Sequence, residues 1–227
     1  YCVNGTRFVP VEVIDVAGLV PGAHEGKGMG NKFLDDLRQA DALIHIVDIA
    51  GATNEKGEII EPGKYDPAFD VRFLEFELDM WYLSILKKGW EKLARQMHQE
   101  HQAPSKVLGK QLSGLNVSEN LVFDVLKLLG LDAKSPINWN NDDLKRLSSA
   151  LRKKTKPMLI VANKIDLPTA QANVERMKKL NYIVIPCSAE AELVLRRAAE
   201  KQLIDYKPGN KDFKITQPEK LSAGQIK

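Results

Sequence analysis

The sequence has little cysteine: only Cys2 and Cys187 in a chain of 227 residues. Two thiols so far apart exclude a disulfide framework and a thiolate metal site, and a reducing, cytoplasmic setting is the expectation. Long hydrophobic runs are missing too. None reaches the roughly 18 residues that a membrane-spanning helix needs. The first residues, Tyr1 to Thr6, lack the basic start and apolar centre of a signal peptide. A large charge of one sign is also absent, since 33 basic and 30 acidic side chains leave +3. With a pI near 8.7, that excess does not by itself mark a nucleic-acid binder. Internal repeats and low-complexity stretches are not found. What is present is 44% hydrophobic and 28% charged residues, the composition of a globular chain rather than a disordered or collagen-like one. The length fits one large domain or one domain with a substantial insertion.

Asn4-Gly5 is a strong turn signal and predicts a hairpin between Tyr1–Val3 and Thr6–Phe8. The second strand is expected to run on through Val9, Val11 and Val13, which alternate onto one face, and to stop at Asp15. A glycine-rich loop follows, and Asn31 is expected to cap a short helix from Lys32 to about Arg38. Three apolar runs read as strands covered on both faces in a parallel sheet: 42–47 ending in Asp48, 158–162, and 182–185. A helix over 173–180 joins the last two, and 190–202 reads as a final helix. Roughly a hundred residues lie between Asp48 and Pro157, where an ordinary crossover unit needs about 30 in total. The surplus is helical. Leu74, Leu78, Trp81 and Ile85 form one stripe, continued by Leu86, Trp90, Leu93 and Met97. Asn116 with Glu119 predicts a capping box before 121–129, Gly130 a stop, and Asn140 the cap of a helix ending in Arg152, Lys153 and Lys154.

Three short motifs fall at the C-terminal ends of expected strands, where open α/β sheets bind ligands. The first is Asp15-Val16-Ala17-Gly18. A carboxylate there can hold Mg²⁺ through water, and Gly18 lets a backbone N–H approach a terminal phosphate without a Cβ in the way. The second is Asn163-Lys164-Ile165-Asp166. Asp166 can accept from the N1 and N2 donors of guanine, a pair that adenine does not offer. Asn163 can bind the base edge or tie neighbouring loops together, and the Lys164 stem can lie on the purine face. The third is Cys187-Ser188-Ala189, whose last N–H can reach the base oxygen. Each motif taken singly also reads as an ordinary turn. Gly22 to Gly28 resembles a phosphate-binding loop, but its spacing is one residue short and no Ser or Thr follows Lys27.

The run from Asp15 to Arg38, with Leu43–Asp48, Asn163–Asp166 and Ile185–Ala189, resembles the Obg-related GTPases, and within them the YchF-like branch whose archaeal and fungal members carry a C-terminal TGS domain. The resemblance extends over nearly the whole chain. It implies a partial P-loop GTPase domain: α/β, doubly wound, with a mostly parallel sheet and a helical insertion. Residues 1–55 and 155–207 would supply the GTPase domain, 56–154 the insertion, and 208–227 a connector. The family's phosphate-binding loop and switch I would precede Tyr1 and its TGS domain would follow Lys227, so the chain is expected to be an internal fragment, weak or inactive towards nucleotide by itself. The implied function is binding of GTP and GDP with Mg²⁺, hydrolysis of GTP, and work with ribosomes in translation. Asn163, Lys164, Asp166, Ser188 and Ala189 would hold the base; Asp15 and Gly18 would face the γ-phosphate and Mg²⁺.

Other readings stay open at this level. The Obg-like ATPases of the same branch depart from Asn-Lys-x-Asp and accept ATP; a third reading is a nucleotide-independent module that binds RNA or ribosomes. Leu19 stands where Ras-like enzymes place a water-orienting Gln, so hydrolysis needs another group. His24 is a candidate for that role or an ordinary surface histidine. Between positions 87 and 110, Lys87, Lys88, Lys92, Arg95, Lys106 and Lys110 outnumber Glu91 and Glu100. That stretch is either a solvated helix face or a footprint for ribosomal RNA.

Overall fold

The computed structural model describes residues 2–3, 6–7, 9–16, 22 and 36–220. In chain order the elements are β1 (Cys2–Val3), β2 (Thr6–Arg7), β3 (Leu43–Asp48), α1 (Ala68–Lys87), α2 (Trp90–Gln99), α3 (Pro104–Gln111) and α4 (Glu119–Leu129). There follow α5 (Asn141–Thr155), β4 (Met158–Asn163), α6 (Ala170–Met177), β5 (Ile183–Pro186), α7 (Ala189–Glu200), β6 (Ile204–Asp205) and β7 (Lys214–Ile215). Residues 36–39 are also helical. The chain divides into two compact units, 1–43 with 72–157, and 44–71 with 158–227. The sequence-based division instead cuts near 55, 155 and 207.

The sheet unit is ordered β3-β4-β5. β4 and β5 are parallel, with Leu159 opposite Ile183 and Val161 opposite Ile185. β3 runs the same way, because Leu43 N–H meets Pro157 O at one end and Ile49 N–H meets Asn163 O at the other. β4 is central and carries Met158, Ile160 and Ala162 into the core. That face also carries His45 and Val47, and α6 contributes buried Val174 and Met177. The Asn173 amide donates to Ile49 O at 2.9 Å and fixes α6 to the end of β3.

The opposite face departs from expectation. The three runs are not covered on both sides: Ile44, Ile46, Ile183 and Ile185 are exposed, around half-buried Leu159 and Val161. A continuous apolar run reports strand character but not which element covers it. The hairpin forms as expected, with Cys2 opposite Arg7 and Val3 opposite Thr6. Its proposed continuation does not. Residues 9–16 are irregular, and Val9, Val11 and Val13 are exposed. Alternation gives a strand one apolar face but cannot supply the neighbouring backbone that satisfies its N–H and C=O groups. The expected helix over 32–38 lies outside the described residues as far as 35. Behind α7, β6 and β7 pair antiparallel, a feature the sequence reading left as helix end and connector.

The helical unit packs α1 (from Arg72) through α5 around Leu78, Tyr82, Met97, Leu108, Val122, Leu147 and Leu151, with Leu37 joining the same core. Each such side chain adds about 1.5–3 kcal/mol by leaving water. Trp81 and Trp90 are core residues, as the stripe predicts; Trp90 stacks on Trp139 at 5.5 Å. Asn140 caps α5 in a box with Asp143, and Gly130 ends α4 with φ 67°. The box at Asn116 does not form. Ser118 caps α4, accepting from Leu121 N–H at 3.2 Å, while Asn116 takes a left-handed turn with φ 58°. Ser118 is the better-placed acceptor, because an N-cap must directly precede the first helical turn.

Arg152 does more than face a helix end. It is 1% exposed and donates to Asp79 at 2.7 Å and Glu75 at 3.5 Å, joining α5 to α1. Lys156, also buried, donates to Arg38 O at 3.2 Å and Ala40 O at 2.5 Å. Gly22 N–H is taken by buried Glu77 at 2.9 Å. Among the described residues before β3, Gly22, Leu37 and the Arg38–Ala40 backbone are thereby fastened to the helices.

Arg152→Ala leaves two partly buried carboxylates without their cation and should cost about 3 kcal/mol in urea unfolding. Arg152→Lys should recover only part of this, since an ammonium cannot reach both carboxylates as a planar fork does. A second expectation concerns acid. Burial pushes the His45 pKa down to about 4. The unfolded chain therefore takes that proton first, near pH 6.5. Stability is fully present above pH 6.5 and declines towards pH 4, by up to about 3 kcal/mol from this group. His45→Leu should flatten that part of the stability–pH curve; an unchanged slope would refute the assignment.

Candidate nucleotide-base site

β4 ends at Asn163, and the chain then turns sharply through Lys164, whose φ of 64° lies in the left-handed region. A side chain held there costs of the order of 1 kcal/mol. Two bonds join this turn to the end of β5: Ile165 N–H to Cys187 O at 3.2 Å, and Cys187 N–H to Ala162 O at 2.9 Å. Asn163 Oδ1 accepts the Ala189 N–H at 3.0 Å, and the Cys187 thiol points at the same oxygen at 3.7 Å. Asn163 therefore ties the two loops together, one of its two expected roles. Ser188 caps α7 by accepting from Ala191 N–H at 3.1 Å. Its hydroxyl also donates to Asp166, and this bond, followed by a backbone N–H, holds the Asp166 carboxyl below its ordinary pKa. Asp166 itself is exposed. Asn163, Lys164, Asp166, Ser188 and Ala189 thus converge on two adjoining strand ends.

Lys164 does not extend freely. Its ammonium donates to Asp48 Oδ2 at 2.8 Å. Asp48 is the residue that sequence reasoning passed over, treating it only as the end of a strand. Its carboxylate accepts Ala50 N–H at 3.1 Å, Ala52 N–H at 3.2 Å and the Thr53 hydroxyl at 2.8 Å as well. The available signal was an aspartate closing an apolar strand just ahead of Ala-Gly-Ala-Thr, the setting of an Asx turn. Thr169 Oγ1 adds a bond to Ala50 O at 2.8 Å. Gly51 is obligatory: at φ 60° a Cβ would sit 2.1 Å from Tyr65 O.

Asp15 belongs to the helical unit and is exposed at the end of the irregular 9–16 stretch. Gly18, Leu19 and His24 lie outside the described residues. Among the described residues no three His, Cys, Asp or Glu side chains cluster as a metal site. Mg²⁺ at a phosphate site asks less of a protein, namely one or two carboxylates with water and phosphate oxygens. Asp15 fits that donor chemistry as a single carboxylate open to water.

A parallel sheet with helices, closed at its strand ends by these loops, is the α/β fold of the P-loop GTPases, and a solved structure agrees. A GTP-binding protein from Pyrococcus horikoshii OT3 superposes with a TM-score of 0.69 at 42% identity, covering 78% of this chain and 51% of that one. Residues 161–227 match the family model described as "Obg-like GTPase YGR210-like, G4 motif-containing domain", and residues 3–71 match "50S ribosome-binding GTPase". An uncharacterized GTP-binding protein of Methanocaldococcus jannaschii is 54% identical over 97% of this chain and 55% of its own length. One of Schizosaccharomyces pombe is 38% identical over 92% and 51%. The chain belongs to the Obg-like, YchF-related family of GTPases. It spans about half the length of the curated relatives it matches. No helix among the described residues is long and apolar enough to cross a membrane.

Asp48→Ala removes four acceptor contacts from one half-enclosed loop and should destabilise the sheet unit by about 2–3 kcal/mol. Lys164→Ala should cost less, because its ammonium is partly in water. Equal costs from the two variants in urea unfolding would contradict the central place given to Asp48.

Proposed function

We propose that this chain carries the guanine-recognising end of a switch protein that binds GTP and hydrolyses it to GDP and phosphate, in the cytoplasm and in association with ribosomes. The observation that carries the reading is the exposed Asp166 carboxylate, oriented by Ser188 at the end of the central parallel strand. Two acceptor oxygens at that place suit the N1–H and N2–H donors of guanine. Adenine presents an acceptor at N1, which would face a carboxylate unfavourably. Such a site can discriminate by a factor of the order of 10⁴, because its polar groups go unpaired with the wrong base. Lys164, bent back to Asp48, brings its methylene stem beside the same strand end as a platform for the purine. Asn163 and Ala189 keep the loops in register. Asp15 would hold Mg²⁺ through water and Gly18 would approach the γ-phosphate. The metal's contribution when bound is to neutralise charge developing on the phosphate oxygens. Leu19 cannot orient water, so that task falls to another group. The ribosome part of the reading is supported by the family description matched at residues 3–71.

Titration of the isotope-labelled chain with GTP should shift the amide resonances of residues 163–166 and 187–189, and ATP should leave them in place. Asp166→Ala should weaken GTP by at least about tenfold, the value of hydrogen bonds to a charged acceptor. Equal shifts with ATP, or an unaffected variant, would refute guanine recognition.

A further inference from the structure

The ammonium of Lys164 has a partner before any base arrives, and that partner is itself held in place from two sides. On one side the Asp48 carboxylate accepts the Ala50 and Ala52 N–H groups and the Thr53 hydroxyl, which curls the backbone that follows it. On the other, Asn173 donates to Ile49 O at 2.9 Å and Thr169 to Ala50 O at 2.8 Å. Arg176 ties the loop again farther on, through Asp66 at 2.8 Å. Thr169 and α6 follow the Asn163–Asp166 turn closely in the chain, so loop and turn share one support.

A free lysine is a poor platform for a base. Its stem is long and flexible, and stacking on a ring would remove that rotamer freedom. Here much of the freedom is lost in advance. One end of the side chain is set by the left-handed backbone at φ 64° and the other by the 2.8 Å ion pair. The side chain stays 39% exposed, so its stem is still open to a ligand. Asp166 addresses the edge of a base and Lys164 its face, and the two contributions are separable.

We propose that Asp48 is a positioning residue for purine binding, holding the Lys164 stem in its stacking pose ahead of the ligand. The inference rests on the base-recognition reading above and divides its tasks. Asp48 sets how tightly a purine is held, and Asp166 sets which purine.

The test titrates the isotope-labelled whole chain and its variants with GTP and with inosine triphosphate, which lacks the N2 amine, and follows the amide shifts of residues 163–166 and 187–189. Asp48→Asn keeps an acceptor oxygen for the backbone donors but offers no charge to the ammonium. Lys164→Met keeps an apolar stem but has no ammonium to anchor. Each should weaken both nucleotides by about three- to tenfold, the size expected for ordering one long side chain. The two substitutions alter the local charge in opposite directions, so a shared loss cannot come from attraction of the triphosphate. Asp48→Asn in the Lys164→Met background should add no further loss, and the preference for GTP over inosine triphosphate should stay as in the parent. Parent-like binding by either variant would overturn the inference. So would a further loss in the double variant, which would make the carboxylate a part of the turn alone. Should Asp48→Asn fail to fold by circular dichroism, Lys164→Met decides by itself. A parent that shows no shifts with GTP sinks base recognition and this inference with it; a parent that binds while the variants match it sinks only this one.

Discussion

The Asp48 carboxylate, with only 10% of its side chain exposed, receives two backbone N–H groups, a hydroxyl and an ammonium. A charge placed so deep is tolerable only when its lone pairs are met, and here they are met by two segments distant in sequence, residues 50–53 and Lys164. The backbone donors curl residues 49–53 into the turn that brings Gly51 against Tyr65. The ammonium belongs to Lys164, so the same carboxylate also accounts for the left-handed backbone at the exit of β4. The Asn163–Asp166 turn is therefore shaped partly by a residue more than a hundred positions earlier. Removing that anchor would release the turn and the strained lysine together.

The helical unit solves a related problem with opposite signs. Arg152 is a deep cation met by carboxylates from α1, and Lys156 a deep cation met by two carbonyl oxygens at the C-terminal end of the 36–39 helix, those of Arg38 and Ala40. Carbonyls at a helix C-terminus carry partial negative charge, so an ammonium suits them even where burial lowers its pKa. Residues 38–40 are in this way bound to α5 and not only to their own neighbours in sequence.

Local chemistry was the legible part of the sequence. The Asn4-Gly5 hairpin, the Asn140 cap, the Gly130 stop, the core tryptophans and β4 all follow from turn residues, caps and periodicity, which act within a few positions. The convergence of Asn163–Asp166 with Ser188 and Ala189 was legible too, because parallel strands of known order bring their C-terminal ends together. What escaped was non-local. Val9 to Val13 alternate well, yet no sequence rule tells whether a pairing strand stands beside them. Ile44 and Ile183 read as doubly covered because a run of apolar residues does not name its cover. Asp48 was missed since its importance lies in a lysine distant along the chain. Arg152 looked like a charge at a helix terminus until its partners on α1 were in view.

The wetted face of the sheet has a thermal consequence. Ile44, Ile46, Ile183 and Ile185 are already hydrated in the folded state, so unfolding releases less new apolar area than the isoleucine content implies. Hydration of apolar area is the main source of the heat-capacity increment of unfolding. The sheet unit should therefore have a small increment for its size, and its free energy should change gently with temperature. A body that dried this face would steepen that curvature as well as raise the stability.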